Sequence, residues 1–155
     1  MIEKPTHFHL CSGAAEGYTQ LNAFDACLLV AGVGNTNLIK ISSILPPHVE
    51  RAIPDGFAPG SFLPIAYASI SAFTPEEHIA AGVAVSIPVD RNLPGVIMEY
   101  SARGHADDIE RIVRHMAEQA MLIRGYDIAE ILSVAAEHRV VSIGAAFAGV
   151  VLFTK

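Results

Sequence analysis

The chain has 155 residues, 52% hydrophobic and 17% charged, with a formal net charge of −6, which suits one compact domain. No stretch gathers lysines and arginines into a stripe able to neutralise phosphates, so nucleic-acid binding is excluded. Apolar runs are broken by Gly, Pro, Asp or Ser well short of the ~20 residues a membrane span needs, and no basic segment followed by an apolar stretch is present at the start, so a cytoplasmic protein is expected.

In chain order, HFHLCSG (7–13) predicts a short first strand and AAEGYTQ (14–20) a loop. QLNAFDACLLVAG (20–32) has helical spacing, with Thr19 as N-cap and Gly32 as stop. TNLIKIS (36–42) alternates toward a double serine, Ser42 and Ser43, just before Pro46 and Pro47. Three strands follow between 60 and 103, SFLPIAYASISAF, HIAAGVAVSIPV and GVIMEYSA, separated by turn residues. ADDIERIVRHMAEQAMLIRG (106–125) predicts an amphipathic helix, its stripe formed by Ile109, Ile112, Val113, Met116, Ala120 and Ile123. Asp107 and Asp108 sit in its first turn, where the helix dipole favours negative charge. DIAEILSVAAEH and SIGAAFAGVVLF close the chain, the second so apolar that burial on both faces is expected. Strands able to form hairpins and two helices to cover them predict a single-domain α+β layered sandwich and not a nucleotide-binding βαβ repeat.

Several groups carry possible chemistry. Leu21, Asp25, Leu28 and Gly32 fall on one helix face, placing a carboxylate among leucines, where it must be paired. It is either a structural aspartate or part of a site for a cationic ligand. Glu99 interrupts a strand and shares a face with Ile97, opposite Met98. Beside apolar side chains its pKa would rise and it could carry a proton at neutral pH, unless the strand turns it to solvent. AGVGNTN (31–37) lacks the Lys-Ser/Thr of a phosphate-binding loop. Glu137 and His138 are adjacent on a strand and point to opposite faces, so structural roles are expected for them. Cys11 and Cys27 are expected to be buried free thiols. Their spacing with the seven histidines matches no zinc pattern, and no metal site is expected.

Taken together, EGYTQLNAFDACLL, AGVGNTNLIKISSILPP and GVIMEYS, with VAAEH and GAAFAG near the end, resemble the pyruvoyl-dependent arginine decarboxylases over essentially the whole chain. The resemblance implies a proenzyme that cuts itself between Ser42 and Ser43, giving a small chain (1–42) and a large one (43–155) that begins with a pyruvoyl group made from Ser43. The substrate, arginine, would form a Schiff base with that ketone and yield agmatine and carbon dioxide. The resemblance makes Glu99 the proton donor, Asp25 the guanidinium-binding carboxylate and Asn37 an active-site asparagine. It also implies a four-layer α/β/β/α sandwich and a homo-oligomer, a trimer with sites between neighbours. In an extended strand Asn37 and Ser43 would be roughly 20 Å apart, so the chain must bend or the site be shared between subunits. A bend or strain at the peptide before Pro46-Pro47 would help the Ser43 hydroxyl reach the Ser42 carbonyl. Lys40 and the first-helix residues Cys27 and Val30 differ from residues found in that family, which leaves open decarboxylation of another amino acid, histidine or ornithine. An unprocessed binding protein is the other alternative.

Overall fold

A computed structural model describes residues 3–155. Helix α1 (Gln20–Val30) begins at Thr19, whose hydroxyl accepts the Asn22 N–H at 3.1 Å, and ends before Gly32, whose φ of +84° stops it. Helix α2 (Ala106–Arg124) carries Asp107 and Asp108 in its first turn and closes at the left-handed Gly125.

The strands are β1 (His7–Glu16), β2 (Asn37–Lys40), β3 (Ile44–Leu45), β4 (Glu50–Arg51), β5 (Phe62–Ala72), β6 (His78–Pro88), β7 (Gly95–Arg103), β8 (Ile128–Arg139) and β9 (Gly144–Phe153). They form a five-stranded sheet, β2-β5-β9-β1-β4, and a four-stranded sheet, β3-β7-β6-β8. The pairings are antiparallel except β2 with β5 and β1 with β4.

Alternation along the central strands assigns the layers. In β9, Ala146, Ala148, Val150 and Leu152 join Phe8, Leu10, Ile79, Val83 and Ile97 in the core between the sheets. Ala145, Phe147 and Val151 face the other way, against Ala23, Cys27 and Leu28 of α1. On the four-stranded sheet, Ala84 and Val96 face outward against Val113, Ala117, Ala120 and Met121 of α2. The fold is therefore the α+β, four-layer α/β/β/α sandwich. The apolar β9 sits inside one sheet between β5 and β1, so a core within the chain accounts for its composition.

Three local expectations change. The first strand continues through Ala14–Glu16, because the β1–β9 ladder runs unbroken from His7↔Phe153 to Glu16↔Gly144. The buried stripe of α2 is Ile109, Val113, Ala117, Ala120 and Met121, whereas Ile112 and Ile123 are exposed. The two-residue strands β3 and β4 were too short to show any alternation.

Helix α1 approaches β1 closely at Gly13, where an added Cβ would fall within 3 Å of the Cys27 carbonyl oxygen. Gly13→Ala should lower unfolding stability by about 1–3 kcal/mol through overpacking, measured by urea denaturation. An unchanged midpoint would show that α1 can move away from the sheet without loss.

Candidate functional site

The double serine occupies a crossing between sheets. The Ile41 N–H still bonds the Ile65 carbonyl of β5 at 3.0 Å, and two residues later the Ser43 carbonyl accepts the Ile97 N–H of β7 at 2.7 Å. β2 and β3 are edge strands, one of each sheet, so the Ser42–Ser43 peptide lies where the chain passes from one edge to the other. The expected bend is this crossing. Non-glycine backbone with positive φ is found at His48 and Glu76, not at the serines. Ser42 is exposed and Ser43 partly buried.

Across from the serines runs β7. Ile44 pairs Val96 and Leu45 pairs Gly95, and continuing that register sets Ser43 opposite Ile97, on the face Ile97 shares with Glu99. That face looks into the sandwich: Ile97 belongs to the core between the sheets, and the Ser101 hydroxyl donates across the gap to the Ser69 carbonyl of β5 at 3.0 Å. Met98 faces the opposite way, toward α2.

Glu99 is partly buried, and its Oε2 is buried without a hydrogen-bond partner among the described residues. Burial raises its pKa, and the nearby Lys40 ammonium draws it part of the way back. The Lys40 Nζ lies 4.7 Å from the centre of the Tyr67 ring, a cation–π contact. The result is a carboxyl that keeps its proton to higher pH than an ordinary glutamate, next to the crossing. The sequence does not reveal the closeness of Lys40 to Glu99, because the two lie on strands of different sheets that the crossing brings side by side.

The other two candidates lie elsewhere. Asp25 is exposed on α1, and its expected neighbours diverge: Leu21 is 74% exposed and Leu28 buried. The helix rests on its Ala23, Cys27 and Leu28 face, so Asp25 belongs to an open surface and not to a leucine stripe. Asn37 is exposed at the far end of β2, with Nδ2 donating to the Gly60 carbonyl at 3.3 Å. Within one chain the fold thus brings Ser43 and Glu99 together and leaves Asp25 and Asn37 on open surface. A groove of about 840 Å³ runs past Ser42, walled by Ile39, Ile41, Ile44, Phe57 and Phe62. Phe62 is 72% exposed, an apolar surface beside the crossing that a second chain could cover.

Glu137 and His138 point apart, as strand alternation requires. His138 Nε2 meets Glu16 Oε2 at 2.5 Å, and Glu16 Oε1 accepts the Ser142 and Ile143 amides, which tie β1 to the turn before β9. Glu137 instead lies beside His78 and His105, a grouping hidden in the sequence because the three residues come from separate elements. Cys11 and Cys27 are buried free thiols, their pKa values pushed up by burial to about 12 and about 11, so neither is a nucleophile at neutral pH. Among the described residues no helix is long and apolar enough to cross a membrane.

Residues 7–154 match the family described as pyruvoyl-dependent arginine decarboxylase. A protein of that name from Methanocaldococcus jannaschii is 43% identical over 151 residues, covering 97% of this chain and 92% of that protein. One from Pyrococcus abyssi is 39% identical over 147 residues, covering 93% and 92%. Among solved structures, a pyruvoyl-dependent histidine decarboxylase shares the fold with a TM-score of 0.50 at 16% identity, over 59% of this chain and half (50%) of that one.

The surroundings of Glu99 set a pH test. Because its folded pKa is raised, its contribution to stability is fully present below the unfolded pKa of about 4.3 and is lost as pH rises through the folded value. Urea unfolding should therefore show Glu99→Gln gaining on the wild type between pH 4 and pH 8. A difference that stays flat with pH would mean that the carboxyl is not desolvated.

Proposed function

Because the chain belongs to the pyruvoyl-dependent arginine decarboxylase family, we propose that it converts arginine to agmatine and carbon dioxide with a pyruvoyl group generated from its own Ser43. The protein is an enzyme, a carboxy-lyase whose cofactor is pyruvoyl. The observation that supports the assignment of Ser43 is the crossing: a Ser-Ser peptide between two edge strands, its carbonyl fixed by Ile97, beside a glutamate whose buried oxygen has no partner.

Formation of the group uses residues already in place. The Ser43 hydroxyl oxygen attacks the Ser42 carbonyl carbon, and the C–N bond breaks to give an ester and a free Ser43 amine. Loss of the Ser43 Cα proton then expels the Ser42 carboxylate, leaving a dehydroalanine. Its enamine tautomerises, and water replaces nitrogen, releasing ammonia and leaving the ketone. Anchoring of the Ser43 carbonyl by the Ile97 N–H holds one side of this peptide still while Ser42 stays exposed, which favours the approach of hydroxyl to carbonyl.

The residues fit such a group, because the unpartnered Glu99 Oε2 gives a proton donor on the face that the register assigns to Ser43. The pyruvoyl ketone supplies Schiff-base chemistry for the substrate's α-amino group and an electron sink for the departing carboxylate. Glu99, whose pKa burial raises, is the group assigned to give the proton that the substrate Cα takes up after carbon dioxide leaves. Lys40 limits how far that pKa rises, so the acid can be reloaded. Asp25, a carboxylate exposed on α1, suits a bidentate contact with a guanidinium. Asn37 completes the polar lining. Since one chain does not gather Asp25 and Asn37 with Ser43, the site is completed between copies, in a trimer that also covers the apolar groove beside Ser42. The absence of a membrane-spanning helix among the described residues is compatible with a cytoplasmic enzyme.

Intact mass under denaturing conditions tests this directly. Two fragments should appear, 1–42 and 43–155, the larger lighter by one ammonia than a serine-ended chain. A single uncut chain in active protein would overturn the assignment. Ser43→Ala should remain uncut and make no agmatine. Glu99→Gln should be cleaved yet lose about 10²- to 10⁴-fold in kcat, and near-normal turnover would assign the proton to another group. Asp25→Asn should raise KM for arginine more than it lowers kcat. Equal turnover of histidine or ornithine in the same assay would overturn the substrate.

A further inference from the structure

Three side chains from three elements meet where α2 begins. His78 opens β6, His105 is the N-cap of α2 and Glu137 lies near the end of β8. The register places His78 opposite Arg139 and Ala80 opposite Glu137, so His78 and Glu137 share the outer face of the sheet, to which the helix brings His105. The Nδ1 of His78 is 3.3 Å from Glu137 Oε2, and the Nδ1 of His105 is 3.0 Å from Oε1. The two imidazole centres are 4.8 Å apart.

Glu137 is not free to swing away. The Ala106 N–H donates to its Oε1 at 2.8 Å, fixing the carboxylate as the outer contacts of a metal site fix their ligands. One ligand atom from each residue lies within 4.8 Å of the others, and two imidazoles with one carboxylate form a donor set typical of zinc. The neighbouring guanidiniums are engaged, Arg103 with Glu77 and Arg139 with Glu76, so an arriving cation meets compensated charge. Side-chain exposures of 37% for His78, 61% for His105 and 33% for Glu137 leave it a path.

We propose that His78, His105 and Glu137 form a surface site for a divalent cation of the zinc type, with water completing its coordination. Binding exchanges the two imidazole–carboxylate contacts for metal–nitrogen and metal–oxygen bonds, and any extra proton on an imidazole goes to solvent. The site joins β6, β8 and α2 at the Arg103 end of β7, roughly 13 Å along the strand from Glu99. Its role is to clamp the helix start to the sheet and not to take part in decarboxylation.

The experiment is calorimetric titration of Zn²⁺ into tag-free, chelator-dialysed whole protein at pH 7.5, with melting followed in parallel. The expected result is saturable binding of one Zn²⁺ per chain and a raised melting temperature. His105→Ala and His78→Ala should each weaken binding by at least about tenfold, while His115→Ala, on the exposed side of α2, should leave it unchanged. The His105 side chain makes no cap bond, so its variant should fold even where His78→Ala does not. Absence of saturable binding, or binding that survives His105→Ala or is abolished by His115→Ala, would overturn the proposal.

Discussion

The architecture depends on one constraint: the central strands β6 and β9 are apolar on both faces. A strand of that kind cannot border water on either side, so each sheet must be covered twice. The opposite sheet covers the inner faces, and one helix covers each outer face. Burying a side chain such as Phe147 or Ile79 contributes on the order of 1.5–3 kcal/mol, and the many residues of this kind leave little freedom for other layouts. The edges alone are released from the constraint. There the chain can leave one sheet and enter the other, and there the serines lie.

The same core determines the chemistry of Glu99. A carboxyl on an exposed face of β7 would be hydrated and ionised at neutral pH. Turned between the sheets, it loses water around one oxygen and gains no hydrogen bond in exchange, and only the Lys40 ammonium opposes the shift. The unpaired oxygen weakens the fold and readies the acid through a single act of burial. Function and stability are opposed at this residue, which is where local consistency is expected to give way.

Much of this was legible from residue order. Apolar runs bounded by turn residues located the long strands to within a few residues, because two-faced burial writes itself in near-continuous apolar segments. The strand period placed Glu99 with Ile97 correctly, since a strand offers only two faces. The helix period misled at Asp25, because α1 rests on small residues, Ala23 and Cys27, and leaves Leu21 in the open. It misled similarly at Ile112 and Ile123 of α2. The crossing, the nearness of Lys40 to Glu99 and the His78–His105–Glu137 corner are products of sheet topology, and contacts between residues so distant in sequence leave no periodic trace.

The placement of β1 gives the proposed cut an asymmetric outcome. Residues 1–42 contribute α1, the edge strand β2 paired with β5, and a ten-residue strand, β1, held between β9 and β4 inside the larger sheet. Severing the peptide after Ser42 removes a covalent tether and none of that pairing, so the short piece stays as a built-in strand of its partner. Once the pieces are separated by denaturation, however, they must find each other as two molecules. A fresh cofactor could not then be made, since its serine has already been consumed. With that cut, maturation would act as a ratchet: the precursor folds as one molecule, the mature pair only by an encounter of two, so its lifetime would be governed by how slowly β1 and β2 are released.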